Sequence, residues 1–164
     1  MNPAAKGPQV VPGADVFRVH RTNSHDPAFK ALVAELDHDL AVRDGKDHGF
    51  YATFNTLDAI RHAVVVFVGD RPVACGAFKR FAEDAVEIKR MFTLPALRGK
   101  GLGTRTLSEL EQWARELGRT RCVLETGRRQ PEAIALYTDR GYATIPNYGP
   151  YVGVANSVCM EKRL

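Results

Sequence analysis

A chain of 164 residues with 45% hydrophobic and 26% charged side chains has the make-up of one globular domain with a sizeable core. Its formal charge of +4, from 23 Lys and Arg against 19 Asp and Glu, suits an anionic ligand but is too mild to point to nucleic acid. No run approaches the roughly 20 apolar residues of a membrane span, and Cys75, Cys122 and Cys159 form no CxxC pair, which argues against a disulfide framework or zinc site and for a reducing, cytoplasmic setting.

The opening "MNPAAKGPQVVP" lacks an apolar core of signal-peptide length, so no export is expected. Residues 1–12 read as a loose tail and 13–164 as a single domain. "DVFRVHR" (15–21) is a short first strand. From Asp26, a fitting N-cap followed by Pro27, the residues Phe29, Leu32, Val33, Leu36 and Leu40 recur on one helix face. The polar and aromatic stretch 41–56 suits either a loop or a broken helix. "AVVVFVGDRPVACGAFKRF" (63–81) is two β-rich runs separated by "GDRP", a hairpin signal, and "DAVEIKRMFTLP" (84–95) is a third strand of this group, stopped by Pro95. An amphipathic helix runs from Gly101 to about Leu117, and "RTRCVLET" (119–126) is a buried-type strand. A short helix within 130–142 precedes the loop "PNYGPYVG" and a last strand, "SVCMEKRL". The order is β-α-(α)-β-β-β-α-β-α-β, a mixed α/β domain.

"ALRGKGLGTRTL" (96–107) stands between a strand and a helix. Gly99, Gly101 and Gly103 remove the Cβ atoms that would hold a phosphate off the backbone, and Arg98 and Lys100 add positive charge. At a helix N-terminus, unpaired N–H groups and the helix dipole favour an anion, so the loop suits a pyrophosphate. A P-loop would need Lys followed by Ser or Thr, and a dinucleotide fold would need its third glycine one residue later.

Arg98-Gly99-Lys100-Gly101-Leu102-Gly103 resembles the R/Q-x-x-G-x-G/A signature of the GNAT family of N-acetyltransferases. The resemblance extends over residues 87–118, "VLETG" (123–127) and "PEAIALYTDRGY" (131–142), and "IPNYGPY" followed by "SVCMEKRL" is similar to a bacterial subgroup of small-molecule acetyltransferases. It implies a mostly antiparallel twisted sheet flanked by helices, with "IKRMFTL" and "RCVLET" parallel and splayed apart. It also implies acetyl-CoA as donor, with no metal. The pyrophosphate would lie on the amides of Gly99, Lys100, Gly101, Leu102, Gly103 and Thr104, and the pantetheine arm along Met91, Phe92 and Thr93. Lys100 and Arg105 become candidates for the nucleotide phosphates. Many members have Asn where this chain has Gln130, which keeps an amide for the pantetheine on a longer arm.

Acetyl transfer to an amine needs a neutral nucleophile, a stabilised oxyanion and a proton for the departing thiolate. A phenol with pKa near 10 is a sensible acid. The resemblance gives Tyr137 that role, although it shares a helix face with Ala133 and Leu136 and would also serve as a core aromatic. For the base, strand alternation puts Glu87, Lys89, Met91 and Thr93 on one face, so Glu87 is a candidate; it could equally pair with Lys89. Glu125, in "LETG", is a second candidate, and the oxyanion is expected at a backbone N–H near Phe92. Cys75 and Cys122 sit in apolar strands and read as buried hydrophobes, and the five histidines show no ligand spacing, so direct attack through a tetrahedral intermediate is favoured without metal.

The acceptor side falls to residues 39–55 and "IPNYGPYVG". Asp39, Asp44 and Asp47 there could attract an amine, and Arg43 could hold a carboxylate, as for an amino acid, or the stretch is a solvated helix end followed by an aromatic plug of Phe50, Tyr51 and Phe54 in the core; Tyr148 and Tyr151 either line the pocket or lock the turn. The expected activity is N-acetylation of a small primary amine. The alternatives are a protein N-terminus or lysine as acceptor, or a non-catalytic acyl-CoA-binding module. No nucleic-acid or membrane partner is expected, and "SVCMEKRL" at a sheet edge could pair across a homodimer.

Overall fold

The computed structural model describes residues 16–52 and 60–164. The tail expected over 1–12 and the residue Phe54 of the acceptor stretch lie outside them. The strands are β1 (Phe17–Thr22), β2 (His62–Val68), β3 (Arg71–Ala82), β4 (Ala85–Thr93), β5 (Arg121–Gly127), β6 (Ala143–Ile145) and β7 (Ser157–Arg163). The helices are α1 (Pro27–Asp44), α2 (His48–Ala52), α3 (Leu102–Glu116) and α4 (Pro131–Asp139). One seven-stranded sheet runs β1-β2-β3-β4-β5-β7-β6, antiparallel except for the pair β4–β5. Among the described residues no helix is long and apolar enough to cross a membrane.

The helices begin and end where local chemistry dictates. Asp26 accepts a hydrogen bond from the Ala28 N–H at 2.8 Å, Pro27 opens α1, and Gly45 with φ 54° closes it. The ambiguous stretch after Leu40 resolves into the end of α1, a 3-10 turn at Gly45–Asp47 and the short α2. The sheet separates two apolar layers. Phe29, Leu32, Val33 and Leu36 of α1 pack on one face, against Cys75, Ala77 and Phe92. Leu107, Leu110 and Ala114 of α3, with Tyr137 of α4, pack on the other, against Phe78, Ile88 and Leu124. Phe29 is fully buried, so Phe29→Ala is expected to lower unfolding stability by about 3–5 kcal/mol in equilibrium denaturant titration, through lost transfer energy and the cavity left behind.

Two features depart from the sequence reading. The three-residue β6, which no alternating pattern announces, pairs with β7 at Cys159, Met160 and Glu161. The last strand therefore lies inside the sheet between β5 and β6 and not at an edge, which removes the edge on which pairing across a homodimer was expected.

The second departure shapes the site. Between Cys75 and Ala77 the β3 strand advances two residues while β4 advances three, from Phe92 to Lys89. The extra residue forms a bulge in which Arg90 takes φ 60°, a left-handed conformation that residues with a Cβ rarely adopt. Arg90 is held there by Asp37 of α1, with Nη1 donating to Oδ1 at 2.7 Å. The parallel pairing of β4 with β5 runs only over Ala85–Ile88 against Arg121–Leu124; the ladder stops beside the bulge, and the two C-terminal ends separate.

Candidate active site

The diverging ends of β4 and β5, with the start of α3, α4 and the end of α1, enclose a cleft of about 460 Å³. Its wall includes Met91, Phe92, Thr93, Arg98, Gly99, Gly101, Leu102, Gly103, Thr104, Gln130, Glu87, Glu125 and Tyr137. These are sequence candidates gathered from four separate segments; Lys100 and Arg105 lie outside the wall. Arg105 is also turned away, its Nη1 donating to the Phe17 carbonyl at 3.3 Å and its guanidinium over the Phe17 ring.

At one end of the cleft lies the glycine loop. Gly99 and Gly101 have φ 81° and 80°, and a Cβ on either would meet no atom within 4 Å. The left-handed backbone favours glycine there, and the space above it is open. Gly103 has a different reason: its Cβ would stand 3.0 Å from Leu136 Cδ2, so α3 approaches α4 closely at this point. Gly101 caps α3 without a side chain, and the first intrahelical bond runs from the Arg105 N–H to the Gly101 carbonyl at 3.0 Å. The N–H groups of Leu102, Gly103 and Thr104 thus have no helical acceptor, and no acidic residue occupies that first turn. Arg98 stands beside them, its Nε donating to the Thr93 carbonyl at 3.0 Å.

Further along, the β4 backbone forms the wall. The Leu94 N–H donates to the Val73 carbonyl at 2.9 Å; by ladder alternation the Phe92 N–H also points to β3, in register with Cys75, while those of Met91 and Thr93 point toward the β5 side. The cleft-facing amides are therefore the neighbours of Phe92. The bulge also parts Glu87 and Lys89 from Met91, contrary to simple alternation. Lys79 and Ala77, opposite Glu87 and Lys89, share the α1 face, whereas Met91 packs where a Gly76 Cβ would meet its Sδ at 2.5 Å, beside Leu110 and Thr106 of α3.

The far end carries the ionisable groups. Glu87 is 5% exposed and accepts a 2.5 Å hydrogen bond from the Tyr148 hydroxyl, with Lys89 and Lys79 at 3.6 and 3.8 Å from its other oxygen. Tyr148 and Tyr151 do not line the cleft; they cross edge-to-face beneath it, and Tyr148 fixes the carboxylate. That link spans 61 residues and leaves no mark in the sequence. Burial pushes the Glu125 carboxyl up to about 7, with the Ser157 hydroxyl and Lys89 acting against it. Burial also lowers the Lys89 ammonium. Tyr137 is 6% exposed, packs edge-on against Tyr142, and is pushed up from the usual phenol value by burial and then by Glu125. Among the described residues its hydroxyl takes no hydrogen bond. The thiols offer no nucleophile at neutral pH: all three cysteines are free and buried, with Cys75 pushed up to about 12 and Cys122 to about 11 by burial.

The model of the Acetyltransferase (GNAT) family matches residues 24–142, well over half the chain. The chain belongs to the GNAT family. Among curated relatives it is 42% identical over 93 residues to the IAA acetyltransferase of Azospirillum brasilense, across 56% of this chain and 61% of that protein. It is 45% identical over 62 residues to the uncharacterized N-acetyltransferase YjgM of Escherichia coli, across 38% and 37%. The alignments span less than two thirds of either relative. Of solved structures, a Klebsiella pneumoniae protein provisionally described as an acyl-CoA N-acyltransferase matches with TM-score 0.75 and 32% identity over 90% of this chain and 97% of that one. The PaiA N-acetyltransferase of Thermoplasma acidophilum, solved in complex with coenzyme A, shares the GNAT fold at TM-score 0.64 and 15% identity, over 91% and 99%.

Proposed function

We propose that the chain is an acetyl-CoA-dependent N-acetyltransferase acting on a small primary amine by direct attack. One observation carries the reading: the uncapped, glycine-lined start of α3 and the Glu125–Tyr137 pair open into the same cleft, at the point where parallel strands part. The donor fits the residues present. The first-turn amides of α3 and Arg98 would hold a pyrophosphate over the open space at Gly99 and Gly101. The Met91 and Thr93 N–H groups and Gln130 would hydrogen-bond the pantetheine arm, and one of those two strand amides would face the oxyanion.

Glu125 is our choice as proton acceptor over Glu87. A base works best when its pKa lies near the working pH, and about 7 meets that condition. Glu87 sits where β4 and β5 are still paired, already engaged by Tyr148 and two lysines, and would contribute charge to the wall. Tyr137 would donate a hydrogen bond to the departing sulfur. The pH profile tests the choice. Below about pH 7 Glu125 is protonated and cannot take the amine's proton, so kcat/KM with acetyl-CoA, read by thiol release, is expected to rise through that value. Glu125→Gln should remove that limb of the profile. An unchanged limb in the variant would return the role to Glu87 or to water.

A further inference from the structure

Asp44 sits where the fold gains nothing from a carboxylate. It is the last residue of α1, the end at which the helix dipole is negative, and it is 4% exposed. It lines the cleft, yet among the described residues its side chain takes no hydrogen bond. The guanidinium of Arg129 is bound to the Asp44 carbonyl and the Asp47 carboxylate, at 3.0 Å each. His48, Arg129 and Arg43 ease its charge from a distance; Asp47 opposes it, and burial outweighs them all. Asp44 also raises the cost of ionising Glu125 within the same wall. A buried carboxylate without a partner is strongly unfavourable, and this one is left facing the cleft.

A charge inventory of this end of the cleft says what would meet it. Glu87 already has Lys79, Lys89 and Tyr148. Arg43, the sequence candidate for holding a substrate carboxylate, is ion-paired with Asp39 and Glu132 and does not reach the wall. Among the described residues two carboxylates of this end remain without an ion pair, Glu125 and Asp44, and each can take one ammonium. Resting on the transferase reading above, we infer that the acceptor is a small diamine, one nitrogen reacting over Glu125 while the second stays an ammonium on Asp44. The reacting ammonium gives a proton to Glu125, its nitrogen bonds the acetyl carbon before the carbon–sulfur bond breaks, and of its two surplus protons one ends on the sulfur and one in solvent. The anchored ammonium is unchanged.

The test uses three acceptors of equal length: 1,4-diaminobutane, 1-aminobutane and 4-aminobutanoate, which differ only in the charge of the far group. With acetyl-CoA and the wild-type chain, kcat/KM for the diamine should exceed that for the monoamine at least tenfold, with the amino acid slowest. Asp44→Asn, close in shape, should bring the diamine-to-monoamine ratio toward one. Equal rates, a preference for 4-aminobutanoate, or an unchanged ratio in the variant would overturn the inference. Calorimetric titration of 1,4-diaminobutane into the donor-free protein decides it without turnover: binding that Asp44→Asn weakens supports it, and no millimolar binding overturns it. Failure of acetyl-CoA itself to bind would sink the transferase reading and leave this second arm standing.

Discussion

Gly101→Glu is expected to abolish measurable acetyl-CoA binding while leaving the fold intact. The fold should survive because a side chain at this position meets no protein atom within 4 Å and an acidic residue suits a helix N-terminus. The residue must adopt φ 80°, a left-handed strain of about 1–2 kcal/mol for a residue with a Cβ. The larger effect is on the ligand. A carboxylate about 4 Å from a phosphate charge is repelled by roughly 4 kcal/mol at an effective dielectric constant of 20. Each 1.4 kcal/mol is tenfold in affinity, so a loss of about a hundredfold to a thousandfold is expected by calorimetry. Gly101→Ala isolates the strain, since it adds neither charge nor reach, and should weaken binding much less. Should the glutamate variant bind acetyl-CoA as the wild type does, the glycine loop is not the seat of the pyrophosphate.

The parts of this site legible in the sequence are those encoded by neighbours in the chain. Asp26 and Pro27 announce α1, "GDRP" the hairpin, and the alternate glycines between Pro95 and Leu107 the loop that opens α3, because caps, turns and helix starts are decided within a few residues. What was not legible depends on distant partners. Nothing local predicts a left-handed Arg90; Asp37 on α1 holds it, and the bulge then reverses which β4 side chains share a face with Glu87. The strand β6 is too short to carry a pattern, and its place beside β7 is a matter of topology. The Tyr148–Glu87 bond and the bare carboxylate of Asp44 also arise only when the loop after β6 and the end of α1 come together around the cleft. Glu125 could be named from the sequence, but its raised pKa is a product of that burial and separates it from Glu87.

Tyr137→Phe is expected to lower kcat about tenfold to a hundredfold with little change in the KM for acetyl-CoA. The split follows from the state the phenol meets. A thioester sulfur in the ground state is a weak acceptor, whereas a departing thiolate carries charge, and a hydrogen bond to a charged group contributes about 1.5–3 kcal/mol. Burial and Glu125 hold the Tyr137 phenol above its usual value, so it stays protonated across the working pH range and adds no limb of its own to the profile. The same shift qualifies its role. A thiol has a reference pKa of about 8.5, so a complete proton transfer from such a phenol to a free thiolate is uphill. On the proposed reading Tyr137 would act as a donor to charge developing on sulfur, the final proton coming by way of solvent. Removing the hydroxyl leaves the ring on Tyr142, so the packing of α4 should be preserved and the melting temperature little changed. The neighbour supplies the control: Tyr142 donates to the buried Glu111 at 2.8 Å, so Tyr142→Phe should lower stability and spare kcat. A Tyr137→Phe variant with kcat within twofold of wild type would make Tyr137 a core aromatic that happens to border the cleft.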